Sequence, residues 1–244
     1  MLDLTKIRFQ YITNSNEKYS HIDGAKFALD GGCQWIQLRI KIEKNTAQQY
    51  DNMQYEKIIS TAFELKELCK KYDAIFIVDD YVEIAKEVEA DGVHLGKNDM
   101  PIKQAREILG VHFIIGGTAN TVNDILDLSA KGVDYIGLGP FRFTDTKKNL
   151  SEILGIEGYE KIFSELRQLE ISTSLKTSIP IIAIGGITKD DIFSILKTFS
   201  ILETKVITGI TGVAVSGAIF NSVNPVQEAS IIKKYIFNTP QKEK

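Results

Sequence analysis

Three things are scarce in this chain, and each scarcity excludes a class of protein. Cysteine occurs twice in 244 residues, as Cys33 and Cys69. The two lie far apart without the close spacing of a metal site, so they are expected to be reduced, buried thiols. No apolar run approaches the ~20 residues of a membrane helix. The opening Met1-Leu2-Asp3-Leu4-Thr5-Lys6 has no apolar signal core. A soluble, cytoplasmic protein with no membrane partner is expected. Basic runs are missing as well. The formal net charge is -3, with both signs dispersed, which removes the electrostatic footprint of a nucleic-acid binder. Any cations that matter must act locally. Nothing in the sequence sets the oligomeric state.

What is present is a regular alternation. Short apolar runs occur at Phe9–Ile12, Trp35–Leu38, Ile75–Val78, Gly92–Leu95, Phe113–Gly116, Tyr135–Leu138, Ile181–Ile184 and Gly212–Val215. They are rich in β-branched residues and mostly lack polar alternation, as suits strands buried on both faces. Segments of helical period lie between them. Ile58, Ala62, Leu65 and Cys69 share one helical face, and so do Ile102, Ala105 and Leu109. Thr188 before Lys189-Asp190-Asp191 predicts a helix start. Strands alternating with helices predict an α/β fold of βαβ units. The length suits a single-domain (β/α)8 TIM barrel, typically about 250 residues, here residues 1–237 with a polar tail at 238–244. An open doubly wound sheet is the competing architecture. Arg142–Gly155 and Leu169–Ser178 are expected to be loose connections.

In a barrel, chemistry gathers where strands end. Strand two runs out through Gln37-Leu38-Arg39-Ile40-Lys41, where Gln37, Arg39 and Lys41 alternate and share a side. Two cations there suit a phosphate group; salt bridges to neighbouring carboxylates are the alternative. Strand three ends in Asp79-Asp80, and strand four runs into Gly96-Lys97-Asn98-Asp99. Carboxylates on adjacent strand ends can share magnesium, which takes one or two of them plus substrate phosphates. They can also cap the helices that follow. His94, inside strand four, reads as structural. Gly139 and the stretch Thr144-Asp145-Thr146-Lys147 follow strand six, offering close backbone approach, hydroxyls and a cation. Gly185-Gly186 after strand seven and Val215-Ser216-Gly217 after strand eight occupy the usual phosphate-binding place of barrels, or form two tight turns.

Taken in order from about Phe9 to Phe220, these motifs resemble the thiamine-phosphate synthase family. The matching pieces include Gln37-Leu38-Arg39-Ile40-Lys41, Phe76-Ile77-Val78-Asp79-Asp80, Asp91-Gly92-Val93-His94-Leu95-Gly96, Asp134 to Phe141, Thr144 to Lys147, Ala183 to Ile187 and Gly212 to Ser216. The resemblance implies a transferase that condenses 4-amino-5-hydroxymethyl-2-methylpyrimidine diphosphate with 4-methyl-5-(2-phosphoethyl)thiazole. The products are thiamine phosphate and diphosphate. It implies that Arg39, Lys41 and Lys147 hold the diphosphate, that Asp80 and Asp99 hold magnesium, and that Gln37 and Thr118 lie near the pyrimidine. Thr144, Thr146, Gly186, Val215 and Ser216 then take the thiazole phosphate or the adjoining loop. Three residues depart from the pattern. Asp79 stands where Asn is common, Ile40 where Glu is usual, and Thr118 where Ser commonly follows strand five. Asp79 adds charge where an anion should bind, so it is expected to be tied up by magnesium, Arg39 or Lys41. A tautomerase-like barrel taking only the thiazole phosphate, and a non-catalytic barrel binding a thiamine precursor, are the rival functions.

Overall fold

A computed structural model describes residues 8–41, 52–144, 151–173, 179–199 and 209–238. Eight strands appear in the order expected: β1 (Phe9–Ile12), β2 (Trp35–Leu38), β3 (Ile75–Asp79), β4 (Gly92–Leu95), β5 (Ile114–Ala119), β6 (Tyr135–Leu138), β7 (Ile181–Ile184) and β8 (Gly212–Val215). All pair in parallel, and β8 closes on β1, with Phe9 opposite Val213 and Tyr11 opposite Val215. The sheet is therefore a closed barrel and the open doubly wound alternative is excluded. The helices α1 (His21–Asp30), α2 (Asn52–Lys71), α3 (Val82–Glu87), α4 (Ile102–Leu109), α5 (Val122–Lys131), α6 (Gly155–Thr173) and α7 (Lys189–Phe199) fall between the strands. The chain after β8 forms α8 (Gly217–Phe220) and α9 (Pro225–Asn238). No helix among the described residues is long and apolar enough to cross a membrane.

Parallel strands buried on both faces divide the apolar side chains into two cores. One sector fills the barrel: Ile12, Trp35, Ile77, Tyr135, Ile182 and Ala214 meet there. The larger core lies between strands and helices. Ile58, Ala62, Leu65 and Cys69 of α2 are all buried in it, as their spacing predicts, and so are Ile102, Ala105 and Leu109 of α4. Cys33 and Cys69 are free and buried.

Several boundaries differ from expectation. β3 continues through Asp79, and β5 runs to Ala119, so Thr118 lies within a strand rather than after it. Leu169 to Thr173, expected to be loose, completes α6; Asn238, assigned to the tail, is the last residue of α9. β5 also starts at Ile114 rather than Phe113. Each extension lengthens an element that already buries a face, because adding a turn or a rung costs less than starting one. Residues 174–178 and 239–244 lie outside the described residues.

The barrel wall leaves no room at some positions. A Cβ built on Gly92 would lie 2.0 Å from the Ile114 carbonyl oxygen, a backbone atom of the neighbouring strand. Gly92→Ala is expected to destabilise the barrel by about 1–3 kcal/mol or more, since a paired strand cannot step aside. Urea unfolding measures this; an unchanged midpoint would mean that the β4–β5 spacing relaxes freely.

Candidate active site

The three sequence-predicted polar residues of strand two converge on one carboxylate. Gln37 points into the barrel, and its Nε2 donates to Asp79 Oδ1 at 2.7 Å. Beyond the end of β2, Arg39 Nε lies 3.6 Å from Asp79 Oδ2 and Lys41 Nζ 3.2 Å from the same oxygen. The backbone of Arg39 is pinned as well, donating to Thr13 Oγ1 at 3.1 Å. Asp79 is buried, so its two oxygens need these partners. The expectation that a cation ties up Asp79 is therefore met by Arg39 and Lys41.

Successive strand residues face opposite ways, which would send Asp80 away from Asp79. The strand ends first. Asp80 has φ +66°, in the left-handed region, and this turn swings its carboxylate back to Lys41, with which it forms an ion pair. Burial, and then the nearby Asp79 charge, push the Asp80 carboxyl up to about 7; a hydrogen bond with Asp99 acts in the same direction. Lys41 feels the converse. Burial alone would lower its ammonium, but the charges of Asp79 and Asp80 outweigh that and hold it above its ordinary value.

Asp99 comes from the loop after β4, where its Oδ2 accepts the Gly96 N–H at 2.7 Å. The capping alternative for both carboxylates is not realised. The N-cap of α3 is Tyr81 and that of α4 is Pro101, neither with a side-chain cap bond. Asp80 and Asp99, brought within hydrogen-bonding reach of one another, form a donor set of the size magnesium uses when substrate and water complete its shell. Among the described residues no three metal-ligating side chains cluster, so an ion here would need such outside ligands.

Across the mouth, β6 and β7 are laced together. Phe141 and Arg142 donate backbone N–H groups to the carbonyls of Ile184 and Gly185, each at 2.8 Å. The Arg142 side chain pairs with Asp191, which also accepts from Thr188 Oγ1 and N at the start of α7. Gly185 and Gly186 have φ +97° and +67°. A Cβ at Gly186 would meet the Phe143 carbonyl oxygen at 2.5 Å, so the constraint on this glycine comes from the β6–α6 loop. Ser216 follows β8 with its Oγ buried and without a hydrogen-bond partner among the described residues. Val215 is buried at the end of β8. Thr144 is half-buried, while Asp145, Thr146 and Lys147 lie outside the described residues.

Two buried polar residues, Gln10 and Tyr135, escaped the sequence reading, and each contacts a residue that it named. Gln10 of β1 is buried inside the barrel and its Nε2 donates to Gln37 Oε1 at 2.9 Å. His94 Nδ1 lies 3.0 Å from the Tyr135 hydroxyl and its Nε2 lies 2.9 Å from Thr118 Oγ1. The signal for Gln10 was available as a polar side chain inside an otherwise apolar strand. Tyr135 carried no such signal.

The family model described as thiamine monophosphate synthase matches residues 9–219. This chain belongs to the thiamine monophosphate synthase family. A thiamine-phosphate synthase of Bacteroides fragilis is 47% identical over 226 residues, covering 93% of this chain and 98% of the relative. One from Bacteroides thetaiotaomicron is 46% identical, covering 91% and 94%. The solved structure of a thiamine phosphate pyrophosphorylase from Pyrococcus furiosus superposes with a TM-score of 0.76 at 32% identity, covering 97% of this chain and 98% of that one.

The Asp79 contacts yield a stability expectation. Asp79→Leu removes the acceptor of the buried Gln37 amide and should cost about 1–3 kcal/mol. Asp79→Asn keeps an acceptor oxygen and should cost less, under about 1 kcal/mol. Equal losses in urea unfolding would show that the charge, and not the hydrogen bond, is what the fold requires.

Proposed function

We propose that the barrel mouth joins the pyrimidine diphosphate to the thiazole phosphate, with residue roles as follows. Membership of the family makes the chain an enzyme of the transferase class, with the activity of the thiamine-phosphate synthases. The observation that carries the residue-level reading is the convergence of Arg39 and Lys41 with Asp79, Asp80 and Asp99 at the ends of β2, β3 and β4. Two cations, and a carboxylate pair fit for magnesium, suit a diphosphate. A separate site at Gly186, Val215 and Ser216 suits a monophosphate, offering backbone N–H groups and an uncommitted hydroxyl.

In this reading the bond between the pyrimidine methylene carbon and the diphosphate oxygen breaks, and the thiazole nitrogen bonds to that carbon. Diphosphate leaves with the bonding electrons. Arg39, Lys41 and Lys147 hold its oxygens and stabilise the charge that develops on them. Asp80 and Asp99 would hold magnesium, which would supply further neutralisation of the leaving group. Gln37 and Thr118 orient the aminopyrimidine, whose electron-rich ring supports positive charge on the methylene carbon. Thr144 and Thr146, with Gly186, Val215 and Ser216, orient the thiazole phosphate for attack. Asp79 balances Arg39 and Lys41 until the diphosphate arrives. The reaction needs no general base, and positioning two ligands in line is the barrel's main contribution. A tautomerase acting on the thiazole phosphate alone would leave the Arg39–Lys41–Asp80–Asp99 group idle, so that rival is not favoured.

Incubation with both substrates and magnesium should give thiamine phosphate with one diphosphate released per product. Thorough chelation should abolish it. Full activity after chelation would remove the metal role of Asp80 and Asp99, and product without diphosphate release would remove the reaction itself.

Ser216→Ala separates binding from folding. Stability should not fall, because the hydroxyl lost is buried and unpartnered. The KM for the thiazole phosphate should rise about 10-fold, the worth of one hydrogen bond to a charged group, ~1.5 kcal/mol. A rise in the KM for the pyrimidine diphosphate instead would misplace the site.

A further inference from the structure

Arg39 stands just past the end of β2, where the sheet stops fixing the chain. Ile12 of β1 is the register partner of Gln37, and the Thr13 N–H donates to the Gln37 carbonyl at 2.9 Å. In a parallel ladder the next bond runs from the Arg39 N–H to the Thr13 carbonyl. Here that bond is replaced. β1 ends at Ile12, and the Arg39 N–H is taken by Thr13 Oγ1 at 3.1 Å. The first strand turns aside, and a side chain supplies the acceptor that its backbone has withdrawn. Little else holds Arg39. Among the described residues its guanidinium makes no hydrogen bond, and its one ion pair, to Asp79, is 3.6 Å long.

Thr13 is buried, so its hydroxyl hydrogen needs an acceptor. His21 Nδ1 lies 2.9 Å from Thr13 Oγ1, and among the described residues that oxygen has no other partner besides the Arg39 N–H. A backbone N–H only donates, so the hydroxyl donates to Nδ1 and His21 carries its hydrogen on Nε2. The reverse arrangement, with Nδ1 donating, would leave the hydroxyl hydrogen buried and unpaired. A bare Nδ1 requires a neutral ring. Burial, and then the charges of Lys57 and Arg39, lower the His21 imidazole to about 4, so it is neutral at pH 7. His21 is itself held in place. It opens α1 directly after Ser20, whose side chain accepts the Asp23 N–H while Asp23 accepts the Ser20 N–H. A hydroxyl that donates is also a better acceptor, so the bond to His21 strengthens the hold on Arg39.

We infer that Thr13 and His21 are positioning residues for the diphosphate side of the mouth: the Thr13 hydroxyl, oriented by His21 Nδ1, replaces the last β1–β2 backbone bond and fixes the point from which Arg39 projects. The assignment rests on Arg39 holding the diphosphate as proposed above. Neither Thr13 nor His21 touches the diphosphate; both act through Arg39. An arginine fork meets anionic oxygens in a set geometry, so the place where its side chain leaves the backbone decides whether that geometry is reached. Threonine suits the task, since its branched side chain is stiff at χ1 and holds the hydroxyl in one direction.

Amide hydrogen exchange in the ligand-free protein reads the anchor itself. Calorimetric titration of inorganic diphosphate with magnesium present reads its effect. Thr13→Val keeps the side-chain shape and removes the hydroxyl. The Arg39 amide should then exchange about 10-fold faster, and the Kd for diphosphate should rise roughly 3- to 10-fold, the size of one hydrogen bond. Binding of the thiazole phosphate should not change. Thr13→Ser should restore both readings. His21→Leu should shift them in the same direction as Thr13→Val, and His21→Asn, whose carboxamide oxygen stands in for Nδ1, should recover them in part. Unaltered Arg39 exchange in Thr13→Val, or equal weakening of both ligands, would overturn the anchor. Arg39→Gln distinguishes this from a failure of the proposed site. Diphosphate affinity unmoved by that change removes Arg39 from the site, whereas affinity lost there but kept in Thr13→Val removes the anchor alone.

Discussion

The site depends on a buried negative charge that would repel its ligand if left unpaired. Asp79 sits at the end of β3, inside the mouth where a diphosphate is proposed to bind. Buried carboxylates persist only when paired and hydrogen-bonded. Here the pairing comes from Arg39 and Lys41 and the hydrogen bond from Gln37. The same contacts fix where those three side chains stand before any ligand arrives. Breaking them would release two cations and orphan an amide, so the arrangement of the mouth follows from this one carboxylate. Asp80, turned back by its left-handed backbone, shares Lys41 and meets Asp99, the second carboxylate of the proposed magnesium site.

Barrel geometry decides which polar groups reach one another. Side chains alternate between the interior and the helix layer, so polar groups on neighbouring strands meet inside only when register brings them level. Gly116 leaves space for Tyr135 to cross toward His94, and Gly92 allows β5 to approach β4. The opposite side of the mouth is built differently. There the β6–α6 and β7–α7 connections hold one another through backbone hydrogen bonds and the Arg142–Asp191 pair, and Ser216 is left with an uncommitted hydroxyl. A charged half and a largely neutral half suit two anions of different charge.

Much of this was legible in the sequence. Short, mostly apolar runs placed all eight strands, and six have the bounds expected of them. The alternation of Gln37, Arg39 and Lys41 suggested a phosphate site, with salt bridges to neighbouring carboxylates as the alternative, and in the structure all three side chains meet the Asp79 carboxylate. What stayed hidden depends on pairing across strands. Tyr135 is indistinguishable from a core aromatic until register sets it beside Gly116 and within reach of His94, 41 residues away. Gln10 shows as polar inside an apolar strand, but its partner on β2 follows only from the register in which β1 pairs with β2. The helix-capping alternative for Asp80 and Asp99 was reasonable on position alone; it failed because Tyr81 and Pro101 occupy the cap positions.

The central claim is that the mouth holds two anions at once, a diphosphate at the β2–β4 side and a monophosphate at the β7–β8 side. Calorimetric titration of the thiazole phosphate into protein saturated with magnesium and inorganic diphosphate tests it without any turnover. The account predicts one equivalent of thiazole phosphate bound with diphosphate still in place, and loss of the diphosphate alone when Arg39 and Lys41 are both changed to Gln. Mutual exclusion of the two ligands would contradict it.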